Sequence, residues 1–255
     1  MAPLIEARHD VETESVVIRG EGGDRIPAFH ARPDGMPRRG IVVHPDIGGN
    51  RPLFDDLCRR LATHGAAVIC PEPFARALAS GVDLSDIDRR MAYVAKLDDA
   101  QQLGDLERAA DYLVVNDDVS DVAVLGFCMG GMYALKAAAT ERFDRAVAFY
   151  GMITVPEGWR HAELAEPLES AASACPTLAI FGSADPSTPA ADIDALQSAW
   201  SGRDDCEAVV YADAEHGFVH DADRPAHRAA DAADAWNRTL TFLGLDEPPS
   251  KGNRR

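Results

Sequence analysis

The chain has 255 residues, 46% hydrophobic and 7% aromatic, with 42 Asp+Glu against 25 Lys+Arg and a formal net charge of −17 at pH 7. Its apolar runs fall far short of the roughly 18–20 residues that span a bilayer, and the charged N-terminus MAPLIEARHD lacks the apolar stretch of an export signal, so a soluble cytoplasmic protein is expected. So acidic a chain repels phosphate backbones and anionic lipid, arguing against nucleic-acid and membrane partners. Five scattered cysteines (Cys58, Cys70, Cys128, Cys175 and Cys206) without a CxxC pair point to free thiols and to no metal site.

In chain order, residues 15–19 and 25–31 form an opening hairpin, and 40–44 begins a series of buried strands. Leu53, Phe54, Leu57 and Leu61 share one face of a helix that Gly65 ends, followed by a strand at 66–70. After the segment 75–97, which has no clear periodicity, Leu103, Leu106, Ala110 and Leu113 mark a second helix. Strands follow at 121–127, 145–150, 177–181 and 207–211, with another irregular segment at 152–174. The inner strands are continuous apolar runs such as VAVLGF and TLAIFG, as expected where helices cover both faces. Ala229, Ala233, Trp236, Leu240 and Leu243 then recur at helical spacing. The pattern predicts one α/β domain over residues 1–245, a mostly parallel, doubly wound sheet of about eight strands flanked by helices, and a flexible polar tail at 246–255.

In such a sheet, ligands bind beyond the C-terminal ends of the strands. The run Gly126-Phe127-Cys128-Met129-Gly130-Gly131 lies at a strand-to-helix junction, a nucleophile elbow with Cys in place of Ser and hence the mark of an α/β-hydrolase fold. The helix beginning under the sulfur favours thiolate over thiol. Asp185 follows TLAIFG and His216 follows the last strand, giving the order Cys, Asp, His of hydrolase triads. Asp213 and Glu215 compete for the acid role, but their closeness to His216 in sequence places them poorly. The loop Pro45-Asp46-Ile47-Gly48-Gly49-Asn50 supplies the second oxyanion donor, so the Ile47 and Met129 amides form the expected pair.

On GFCMGG, GSADP, EHGF, HPDIGGN, AAVICPEPF and GDLERAADYL, spread over roughly residues 14–245, the chain resembles the dienelactone hydrolase family. The resemblance implies a triad of Cys128, His216 and Asp185 that opens a lactone. It also implies an acidic residue after the third strand that accepts the thiol proton, a position usually held by Glu and filled here by Asp46. The family's substrate-binding Arg, four residues after the catalytic His, is His220 here. A second carboxylate-binding Arg aligns with Arg89 across a gap.

The expected function is therefore hydrolysis of a small-molecule ester or enol-lactone through a thioester on Cys128, with no cofactor. A thioesterase, acyltransferase or peptidase would use the same triad, and a non-catalytic binding protein would have lost one of its members, whereas all three are present.

Overall fold

The computed structural model describes residues 2–246; of the tail predicted at 246–255, all but Asp246 lies outside the described residues. The eight expected strands are present: β1 (Val11–Arg19), β2 (Arg25–Pro33), β3 (Arg39–His44), β4 (Ala66–Pro71), β5 (Val122–Phe127), β6 (Arg145–Phe149), β7 (Thr177–Gly182) and β8 (Cys206–Tyr211). They form one sheet in the order β1-β2-β4-β3-β5-β6-β7-β8. The hairpin β1–β2 joins β4 antiparallel, and every later pairing is parallel.

Strands β4, β5 and β7 are buried along their whole length because helices pack on both faces. Alternation sorts their side chains: Val42, Val124 and Phe181 face one core, while Ile41, Val43, Leu125 and Ile180 face the other. The first core is closed by α4 (Asp99–Asp117), α5 (Met129–Ala137) and α7 (Ala190–Ala199), the second by α1 (Pro52–Thr63) and α8 (Ala229–Phe242). Helix α1 starts on a proline, whose fixed φ suits the first turn, and Gly65 at φ 93° follows its end.

In α8 the buried face runs through Ala232, Ala235, Trp236, Thr239 and Leu240, so of the residues that recur at helical spacing Ala229 and Ala233 are exposed. Trp236 sets this phase by packing on Phe127 and Phe149 at ring separations of 6.1 and 5.1 Å. The irregular segment 75–97 contains α2 (Ala75–Ala79) and α3 (Ile87–Val94). Segment 152–174 contains α6 (Pro167–Ser170) and two single 3-10 turns. Ile87 and Met91 of the first and Met152, Val155 and Trp159 of the second stand beside Cys128 at the C-terminal ends of the strands, whereas α6 packs against α5 and α7. Asp99, opening α4, receives Lys136 Nζ of α5 at 2.9 Å and the Ala165 amide at 2.8 Å, which ties the second of these segments to the body. Among the described residues no helix is long and apolar enough to cross a membrane.

Candidate active site

Cys128 sits between β5 and α5 at φ 56° and ψ −118°, a conformation that costs a side-chain-bearing residue of order 1–3 kcal/mol and persists only where its surroundings impose it. The imposition is visible. The Cys128 amide donates to the Phe149 carbonyl at 3.0 Å, a Cβ at Gly126 would overlap the Gly130 carbonyl, and one at Gly130 would overlap that of His44. The thiol is half-buried at the N-terminus of α5, where unpaired amides favour negative charge.

The loops after β7 and β8 are laced together by the Ala184 amide donating to the Ala214 carbonyl at 3.0 Å. This brings Asp185 Oδ2 to 2.6 Å from His216 Nδ1. The Asp185 carboxylate is fully buried and its other oxygen accepts from the Ser187 amide at 2.8 Å, so it orients the ring rather than meeting solvent. Burial works against an imidazolium at His216. The hydrogen bonds to Asp185 and Cys128, with the charge of the sulfur, outweigh it and push the ring up to about 10.

Met129 opens α5, so its N–H has no partner within the helix. The opposing donor loop is pinned by Asn50, whose side chain donates to the Cys70 carbonyl at 2.7 Å and whose amide donates to Glu72 at 2.9 Å. Gly49, at φ 65°, makes the bend that residues with a Cβ resist. Ile47 lines the same cavity as Cys128.

Asp46 also lines this cavity, but its oxygens are committed. Arg51 grips both, at 2.5 and 2.8 Å, the Gly48 amide donates at 2.8 Å, and His220 Nε2 donates at 2.9 Å. Burial favours the neutral acid, yet the His220 and Arg51 hydrogen bonds and the Arg51 charge hold the carboxyl well below the usual carboxylate range. The carboxylate that the family resemblance makes the acceptor of the thiol proton is thus already bonded to Arg51, Gly48 and His220.

His220 is 1% exposed and does not line the cavity; Asp46 occupies one ring nitrogen and the Tyr150 hydroxyl the other. Arg89 is exposed, pairs with Asp83 and Asp86, and is likewise absent from the cavity wall. Neither occupies the substrate-binding place expected of it. The arginines that do line the cavity are Arg51, Arg160 and Arg224. Arg51 is taken by Asp46, and Arg160 lies 3.4 Å from Glu166. The Arg224 guanidinium has no hydrogen-bond or ion-pair partner among the described residues. It packs against the turn after His216, 2.7 Å from where a Cβ on Gly217 would lie. It gets there because the chain turns back, the Arg228 amide reaching the Phe218 carbonyl at 3.2 Å, and residue spacing alone carries no sign of that return.

The cavity measures about 1050 Å³, and Ile87 and Met91 from α3 face it together with Met152, Val155 and Trp159. The arrangement provides a half-buried thiol, an oriented imidazole, backbone N–H groups, an unpaired guanidinium and an apolar wall.

The dienelactone hydrolase family model matches residues 26–245. A Rhodococcus opacus carboxymethylenebutenolidase is 33% identical over 233 residues, covering 88% of each chain. An Escherichia coli (strain K12) protein named as a candidate carboxymethylenebutenolidase is 35% identical over 229 residues, 87% of this chain and 83% of that one. A crystal structure of a candidate dienelactone hydrolase from Klebsiella pneumoniae superposes with a TM-score of 0.81 at 29% identity, over 92% of this chain and 99% of that one. The chain belongs to the dienelactone hydrolase family.

Proposed function

We propose that the protein is a carboxylic ester hydrolase that opens an ester or enol-lactone on Cys128, and that it works in the reducing cytoplasm, where its thiol stays free. The observation that carries this is the single constellation of Cys128, His216 and Asp185 at the ends of β5, β8 and β7. Family membership and the lactone-cleaving name of the Rhodococcus relative support the substrate class.

Chemically, the sulfur attacks the carbonyl carbon and the oxyanion is received by the Met129 and Ile47 amides. The C–O bond then breaks, and the leaving alkoxide or enolate takes the proton on His216. Acylation removes the negative sulfur, one of the two partners that raise His216, so the ring becomes able to accept a proton from water in the second half-reaction. Water adds to the thioester, the thiolate leaves, and the carboxylic acid is released. Arg224 is the cation placed to receive a substrate carboxylate, and Met91, Val155 and Trp159 receive its apolar body.

Intact-mass spectrometry during turnover of cis- and trans-dienelactone beside neutral aryl esters, thioesters and amides tests the reading. An acyl adduct on Cys128 in the parent is expected, with no adduct and no hydrolysis by folded Cys128→Ala. Retention of more than a few per cent of activity by that variant would remove Cys128 from the nucleophile role.

A further inference from the structure

Asp46, His220 and Tyr150 come from three separate loops, after β3, β8 and β6, and meet behind the reacting pair. His220 Nε2 lies 2.9 Å from Asp46 Oδ2 and its Nδ1 bonds the Tyr150 hydroxyl. An ionised carboxylate has no hydrogen to give, so the ring donates at Nε2; neutral, as burial favours, it accepts from the tyrosine at Nδ1. With His220 neutral, the positive charge facing Asp46 is that of Arg51. Tyr150 and His220 are sealed, at 0% and 1% exposed, and only Asp46 of the three borders the cavity. Tyr150 holds φ at 38°, a strained value for a bulky residue, and its ring stands edge-on to His216 at 5.0 Å. Carboxylate, imidazole and hydroxyl repeat the order of carboxylate, imidazole and thiol beside them, but Tyr150 does not line the cavity that Cys128 faces. Its effect must pass through what it holds.

We infer that Arg51, Asp46, His220 and Tyr150 form a positioning relay that fixes the oxyanion loop, holding the Ile47 amide in place against Cys128, and that Asp46 is not the proton acceptor of the thiol. Ile47 follows Asp46 directly, so a carboxylate anchored on three sides anchors that amide too, and oxyanion donors act only when held in place beforehand. The relay joins the oxyanion loop to the loop carrying His216, so the two halves of the site keep a fixed spacing. The inference rests on the reading of Cys128 as nucleophile.

The test uses His220→Phe, which keeps a ring and abolishes both bonds; His220→Gln, whose amide can donate to Asp46 and accept from Tyr150; Tyr150→Phe, which removes the hydroxyl alone; and Asp46→Asn. Three quantities are measured: kcat and KM on an aryl ester per titratable Cys128, the pH dependence of Cys128 alkylation by iodoacetamide, and amide hydrogen exchange at residues 46–49. A relay predicts that kcat falls about tenfold or more in His220→Phe at nearly unchanged KM, because a displaced donor forfeits part of its effect. The fall is smaller in Tyr150→Phe and is largely reversed in His220→Gln. Exchange at 46–49 accelerates in step, and the alkylation profile of every variant follows the parent. Unchanged kcat or unchanged exchange in His220→Phe overturns the inference. So does an alkylation profile displaced to higher pH in Asp46→Asn, which would make Asp46 the thiol's proton acceptor. Should His220→Phe not fold, Tyr150→Phe decides by the same three readings. A parent that turns over ester without acylating Cys128 would refute the proposed function instead, and the exchange measurement, which needs no activity, separates the two failures.

Discussion

At His216 two neighbours pull the ring toward the imidazolium, and one of them is consumed when the acyl group forms. The sign of the pH effect follows. Below about 10 the ring carries the proton that a poor leaving group needs; as pH rises through that value the proton is lost. Single-turnover acylation by an alkyl ester should therefore decline through that range, while acylation by a p-nitrophenyl ester, whose leaving group departs unprotonated, should decline less. Parallel declines for both esters would take the proton-donor role from His216. Arg224 sets a second expectation. Replacing it with Gln removes a charge-assisted hydrogen bond worth about 1.5–3 kcal/mol, so KM for a carboxylate-bearing lactone should rise about 10–100-fold while that for a neutral aryl ester stays near the parent's. An equal rise for both substrates would mean that Arg224 shapes the loop without meeting the anion.

Helix α5 does more than present Cys128, since every residue from Met129 to Ala137 is buried and its one charge, Lys136, is 2% exposed. That ammonium sits over Tyr133 at 5.1 Å and bonds both Asp99 oxygens at 2.9 Å. Asp99 in turn holds the Ala165 amide, so one ion pair joins α5, the start of α4 and the segment above the cavity. Lys136→Met leaves a largely buried carboxylate without its cation and should cost about 3 kcal/mol of stability by urea unfolding, with Asp99→Asn in the same chain restoring part. A single variant as stable as the parent would show the pair to be ornamental. These helices and the strands between them were legible because each announces itself within a few residues: VAVLGF is apolar throughout, and GFCMGG marks a turn that only glycine flanks allow. The phase of α8 was less so, since Trp236, whose packing on Phe127 and Phe149 fixes it, finds those rings far away in sequence. That Cys128, Asp185 and His216 gather at one end of the sheet was legible for the same local reason as the elbow, each following its own strand. The contacts of His220 with Asp46 and Tyr150 were not. His220 lies 174 residues from Asp46 and 70 from Tyr150, and no local pattern records contacts at that distance.

For the molecule as a whole, a net charge of −17 opposes an anionic substrate until it comes within reach of the cavity. Raising ionic strength from about 0.01 to about 0.15 M shortens the screening length from about 30 to about 8 Å, so kcat/KM for a carboxylate-bearing lactone should rise with salt while that for a neutral ester stays flat. Flat profiles for both would mean that the acidic surface is too remote from the mouth to matter. The sheet order carries a further consequence, one of time. From β5 onward the strands are laid down outward in the order of the sequence, with Cys128 just after β5 near the middle and His216 after β8 at the edge. At about 5–20 residues per second on the ribosome, the residues between them take on the order of ten seconds to appear. For roughly the first two thirds of that interval the nascent chain carries a thiol with neither imidazole nor carboxylate, for the remainder it lacks the imidazole alone, and the proposed nucleophile is armed only when the last strand closes the sheet.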